Sequence, residues 1–131
     1  MDCTILATNR KGFALLQAAS CGDTQEVQRL LAKGADVHFL QDRALRVAAE
    51  KGRTAAVGVL ISAGANVHAV FEAALVMAAL NGHTPTVQTL IDAGADVTAD
   101  YGDALRAALE NGHTETARVL REAGAKIQAV A

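Results

Sequence analysis

Aromatic side chains make up only 3% of the 131-residue chain: Phe13, Phe39, Phe71 and Tyr101, with no Trp. That scarcity excludes a core built on large rings. With hydrophobic residues at 51%, many of them alanine, the alternative is helices packed close enough for small side chains to fill the interior. An excess of one charge is also missing. Twelve Lys and Arg against 14 Asp and Glu leave a net charge of -2 and a pI near 6.0, which speaks against electrostatic capture of nucleic acid. Charged residues are 20% of the chain, and that balance with the apolar fraction excludes disorder. Long apolar runs are absent as well. The longest, Ala73 to Leu80, is far short of a membrane span, and Met1 to Lys11 has no apolar core of signal-peptide length. Cysteine is scarce: Cys3 and Cys21 form no CxxC pair and no disulfide framework, so free thiols in a reduced, cytoplasmic setting are expected.

What the chain does have is glycine at a fixed interval. Gly22, Gly52, Gly82 and Gly112 are 30 residues apart, and Gly34, Gly64, Gly94 and Gly124 keep the same step. At that period Ala14, Ala44, Ala74 and Ala104 fall into one column, and Leu15, Leu45, Leu75 and Leu105 into the next. Ala18, Ala48, Ala78 and Ala108 align, as do Thr24, Thr54, Thr84 and Thr114, and Leu30, Leu60, Leu90 and Leu120. Fixed columns in that number mark an internal repeat. The chain reads as four copies of one unit, at approximately residues 5–34, 35–64, 65–94 and 95–124. Residues 125–131 follow as a C-terminal tail, and 1–131 is expected to be a single domain.

Each unit reads as two short helices. The first carries Ala44, Leu45, Ala48 and Ala49 on one face and stops at Gly52, which suits the left-handed position just past a helix end. Thr54 is expected to act as N-cap of the second helix, with Pro85 at the first helical position of the equivalent helix one repeat later. Val57, Leu60 and Ile61 form the apolar stripe of that second helix, and Gly64 ends it. Ala65 to His68 reads as a turn or extended connection.

The runs Gly34-Ala35-Asp36-Val37, Gly64-Ala65-Asn66-Val67 and Gly94-Ala95-Asp96-Val97 resemble the inter-repeat turn of the ankyrin family. Asn81-Gly82-His83-Thr84 and Asn111-Gly112-His113-Thr114 resemble its helix–helix turn. The resemblance covers essentially the whole chain and implies an all-α ankyrin-repeat solenoid of about four stacked helix-turn-helix units. Two departures stand out. The unit is three residues shorter than the family's usual 33, and the loss falls at the tip of the hairpin, between Val37 and Ala44 and its equivalents. The fingers are therefore expected to be too short for regular strand pairing. The family's Thr-Pro-Leu-His signature is also replaced, by strings such as Arg43-Ala44-Leu45-Arg46, so that only Asp103 offers a comparable helix cap. At the ends, Gln17, Arg29 and Arg121 put polar groups where inner repeats are mostly apolar, as expected of a self-capped stack. The alternative is a piece of a longer array, with Ala125 to Ala131 beginning another unit.

Catalytic patterns are few. No glycine-rich phosphate loop, GxSxG elbow or HExxH string occurs. His38 and His68 share one column and His83 and His113 another. Column-mates in a stack lie about 10 Å apart, too far to share one metal ion. His83 and His113 are instead expected to bridge the helix–helix turn by hydrogen bonds, as the resemblance implies. Arg46 and Arg106 precede Glu50 and Glu110 by four residues and read as helix-surface ion pairs. No metal, cofactor or catalytic residue is expected.

The resemblance implies that loop tips and the inner face of the first helices bind protein. In this chain the third repeat offers Phe71, Val76 and Leu80 there, and Leu80 stands out because its column-mates are Ser20, Glu50 and Glu110. An apolar centre with a charged rim has the anatomy of a binding hot spot. The expected partner-binding residues are Phe71, Leu80 and Tyr101 as anchors, Val76 beside them, and Arg46, Arg106 and Glu110 setting electrostatic register. Alternatively, Phe71 and Val76 fold back into the core and leave Leu80 alone on the surface. The function expected is a non-enzymatic module binding another protein, with neither nucleic acid nor membrane as partner, and a monomer favoured over a homodimer. The alternative is a self-associating structural protein, or a small inhibitor or effector using the same surface.

Overall fold

The computed structural model describes the backbone of residues 3–130 and the side chains of residues 10–99 and 102–124. Within these residues the chain forms eight helices and no strand, arranged as four consecutive pairs. They are α1 (Cys3–Cys21) with α2 (Thr24–Ala32), α3 (Phe39–Glu50) with α4 (Thr54–Ser62), α5 (Ala69–Leu80) with α6 (Thr84–Asp92), and α7 (Ala99–Glu110) with α8 (Thr114–Val130). The first helices α1, α3, α5 and α7 pack side by side in one layer and the second helices in another. The first layer is the more closely packed of the two. The alanine columns explain the tightness. Ala44, Ala48, Ala49, Ala74, Ala78 and Ala79 are buried, and their small side chains let neighbouring backbones approach. Between the layers Leu15, Leu45 and Leu75 meet Val27, Val57, Val87 and the column Leu30, Leu60, Leu90 and Leu120.

Both glycine columns end helices as expected. Gly64 takes φ +100°, and the amides of Gly64 and Ala65 donate back to the Ile61 and Leu60 carbonyls, closing the helix end with a Schellman motif. Gly52 does the same for α3, at φ +73°. Gly124 does not: it lies inside α8, which runs on to Val130.

Thr54 is not an N-cap. It is the first residue of α4, Arg53 takes the cap position, and the Thr54 hydroxyl instead bonds the Thr86 hydroxyl of the next repeat at 2.8 Å. Thr84 and Thr116 repeat the arrangement at 2.7 Å, with Thr86 and Thr116 fully buried. The register shift places Pro85 second in α6, where its missing amide is still harmless. Asp103 does not cap α7 by a side-chain bond either; its carboxylate pairs with Arg106.

The shortened fingers hold no strand, and their backbone is unusual. Leu40, Gln41 and Asp42 all have positive φ (53°, 59°, 58°), and so do Val70, Phe71 and Glu72 (54°, 56°, 62°). Each finger is therefore a single left-handed turn leading into a right-handed helix. Such a turn costs about 1–2 kcal/mol for each non-glycine residue, so something must hold it.

Candidate functional site

Two buried acids hold the turns. Asp42 and Glu72 are the last residues of the left-handed segments and are only 5% and 6% exposed. Asp42 accepts from the Nδ1 of His38 at 2.9 Å and from the backbone amide of Asn66, in the next connection, at 3.0 Å. Glu72 accepts in the same way from His68 and from the amide of Asp96 at 3.2 Å. Each acid thus fastens its own finger to the one that follows. The equivalent positions, Gly12 and Gly102, carry no acid.

At the other end of the repeat, His83 Nε2 donates to the Glu50 carbonyl and His113 Nε2 to the Leu80 carbonyl, both at 3.0 Å. These bonds join a repeat to the one before it and do not span a turn within a repeat. Arg53 fills the same role toward Ser20, also at 3.0 Å.

The inner surface is formed by the outward side of the first helices. On α3 it carries Arg43, Arg46, Val47 and Glu50, and on α7 Asp103, Arg106, Ala107 and Glu110. On α5 the same stripe is Ala73, Val76, Met77 and Leu80. The only charged residue of α5 is Glu72, which is buried, so this helix is apolar all round. A helix without a polar face is one whose second side is meant to be covered.

The seven residues singled out in the sequence sit as follows. Phe71, at the finger tip, is 82% exposed, and Leu80, at the far end of α5, is 36% exposed. Val76 lies between them, half-buried and packed on the core. The Tyr101 side chain lies outside the described residues. Arg46 does not pair with Glu50: its guanidinium donates to the Leu40 and Gln41 carbonyls, at 3.0 and 3.1 Å, over its own finger. Arg106 pairs with Asp103 rather than Glu110, which is left exposed.

Met77 belongs to the apolar stripe but was hidden in the sequence, because its column-mates Val47 and Ala107 are also apolar. Leu40 and Val70, 48% and 41% exposed, join Phe71 at the finger tips. A shallow groove of about 380 Å³ runs between the second and third fingers, lined by Gln41, Asp42, Asn66, Ala69, Val70 and Phe71. Among the described residues no cluster of three or more His, Cys, Asp or Glu could hold a metal ion, and no helix is long and apolar enough to cross a membrane.

Residues 68–131 match the family model described as ankyrin repeats in three copies. Residues 68–131 are ankyrin repeats. No curated protein sequence matches it. The match begins at the connection into the third pair, and the first two pairs carry the same columns at the same 30-residue step. Ankyrin repeats are generally protein–protein interaction modules and typically non-enzymatic.

Proposed function

We propose that this ankyrin stack binds one protein partner along the outward face of α5, with no chemistry of its own. The observation that carries the reading is the bare apolar stripe of Ala73, Val76, Met77 and Leu80 between two charged first helices. Phe71 extends the stripe at the finger end. Arg46 and Arg106 with Glu110 form the rim, where charge sets orientation and on-rate more than affinity. The stack is pre-formed, so binding spends little on ordering the receptor. A reducing, cytoplasmic setting goes with this reading, since Cys21 is a free and exposed thiol.

The test is affinity capture from native lysate with wild type and Leu80→Glu side by side, followed by mass spectrometry. A protein retained by wild type and lost by the variant, at unchanged melting temperature, is the expected result. A large fall in melting temperature would show Leu80 to be core and remove it from the site. The same bare stripe could seat a second copy of the chain. Light scattering at micromolar concentration is expected to give a monomer, and a dimer broken by Leu80→Glu would establish that second reading instead.

A further inference from the structure

The second finger contains a contact that the third finger lacks, and the two are otherwise the same. Leu40, Gln41 and Asp42 have φ, ψ of 53°, 50°; 59°, 50°; and 58°, 37°. Val70, Phe71 and Glu72 have 54°, 56°; 56°, 48°; and 62°, 31°. The two turns agree within a few degrees, so their carbonyls point the same way relative to the helix that follows. On the second finger Arg46 reaches back across that turn and donates to the Leu40 and Gln41 carbonyls. On the third finger Val76 stands in the Arg46 column, and among the described residues no side chain donates to the Val70 or Phe71 carbonyl.

From this we infer that the partner supplies the missing guanidinium: an arginine of the bound segment docks over the third finger and donates to the Val70 and Phe71 carbonyls, as Arg46 does one repeat earlier. The inference rests on the proposed α5 site and names the chemistry at its finger end. Three further features fit an arginine. The Phe71 ring, the most exposed large apolar group described, offers a face for cation–π contact beside those carbonyls. The groove between Gln41 and Phe71 has room for a side chain. A planar fork with several donors suits two neighbouring carbonyls better than a single ammonium does. Arg46 does not oppose it strongly. One repeat is about 10 Å, beyond a Debye length of about 8 Å at physiological salt. The rest of the segment would lay apolar side chains on Val76, Met77 and Leu80.

The experiment is selection of random linear peptides, displayed on phage, against the purified 131-residue chain. The expected winners pair an arginine with apolar residues and lose binding on Leu80→Glu. In a synthetic winner, Arg→Gln is expected to weaken binding about tenfold or more, as for loss of charge-assisted hydrogen bonds. Val76→Arg in the protein should weaken it similarly, because the new side chain caps the finger from within. If Val76→Arg does not fold, Phe71→Leu serves in its place, with a loss of about threefold from the cation–π contact alone. Winners that depend on Leu80 but tolerate Arg→Gln would overturn the arginine and leave the α5 site standing. No winners, or only winners indifferent to Leu80→Glu, would overturn both.

Discussion

The two ends of the second and third repeats hold to their neighbours by opposite means. At the helix–turn end the backbone is relaxed: a glycine supplies the one positive φ, and a side-chain N–H such as that of His83 or Arg53 reaches back to a carbonyl. At the finger end three consecutive non-glycine residues sit in left-handed conformation, and a buried carboxylate holds them. The first arrangement spreads small contributions over many repeats. The second concentrates strain and charge in two places, Asp42 on the second finger and Glu72 at the finger end of α5 itself. Shortening the family's hairpin by three residues is what forces the concentration, because no strand ladder is left to satisfy the finger's polar groups.

The largest expected effect is therefore at a finger. Glu72→Ala removes the acceptor for His68 and for the Asp96 amide, leaves that amide without its partner, and frees a strained turn. A loss of about 3 kcal/mol in urea unfolding is expected, since bonds to a charged group and an orphaned donor both contribute. His83→Ala, at the other end, is expected to lose only about 1 kcal/mol. Equal losses in the two variants would remove the distinction between the ends.

Gly52→Ala tests the relaxed end where it is least forgiving. A Cβ there would come within 2.5 Å of His83 Nδ1 while the backbone stays at φ +73°. The ring must move and its bond to Glu50 is lost, so a destabilisation of about 2 kcal/mol is expected. The double variant Gly52→Ala with His83→Ala should then lose less than the sum of the two singles. Strict additivity would mean that the ring and the glycine do not share a site.

That asymmetry also explains how much could be read from the sequence. The helix–turn end was legible because it repeats: Gly, Thr and the core Leu and Ala columns are fixed, and their periods give two helices per unit directly. Roles inside those columns were harder. Thr54 looks like a cap by residue type, but its hydroxyl goes to Thr86, thirty-two residues on, and only the stacked structure brings them together. The finger was illegible for a different reason. Its key column reads Gly12, Asp42, Glu72, Gly102, which suggests an unconstrained surface position. A run of left-handed residues also has no composition signature when none of them is glycine. The apolar site on α5 was half legible: Leu80 broke its column's pattern, whereas Met77 followed its own.

Phe71→Gly probes the strain with the opposite sign. The residue is 82% exposed and left-handed, so glycine removes the steric cost and little packing is lost. After the greater freedom of an unfolded glycine is subtracted, a gain of about 0.5–1 kcal/mol is expected. The α5 site would lose its finger-end anchor in the same variant, so stability should rise while binding falls. A loss of stability instead would show that the Phe71 ring packs on the finger in solution.

The smallest effect concerns the residue that receives the finger's bond. Asp96 gives its amide to Glu72, while its carboxylate accepts from the Thr98 hydroxyl at 2.7 Å and the Thr98 amide at 2.9 Å. Those two bonds, the hydroxyl first, hold the Asp96 carboxyl below its ordinary range against a slight opposing effect of burial, with a small contribution from the charge of His68. A carboxyl depressed in the folded state adds stability above its unfolded value of about 3.9 and loses it as pH falls through the lowered folded value. Asn66, at the same position one repeat earlier, accepts the His68 amide at 2.9 Å with a group that does not titrate there. Asp96→Asn should therefore keep the turn at neutral pH and remove its share of the acid dependence. In urea unfolding from about pH 5 down to about pH 3, the variant's stability should fall less steeply than wild type. The exposed carboxylates of Glu26 and Glu115, held low by Arg29 and Arg118, titrate alike in both proteins and cancel in the difference. Parallel curves would mean that Asp96 anchors the finger through its backbone amide alone.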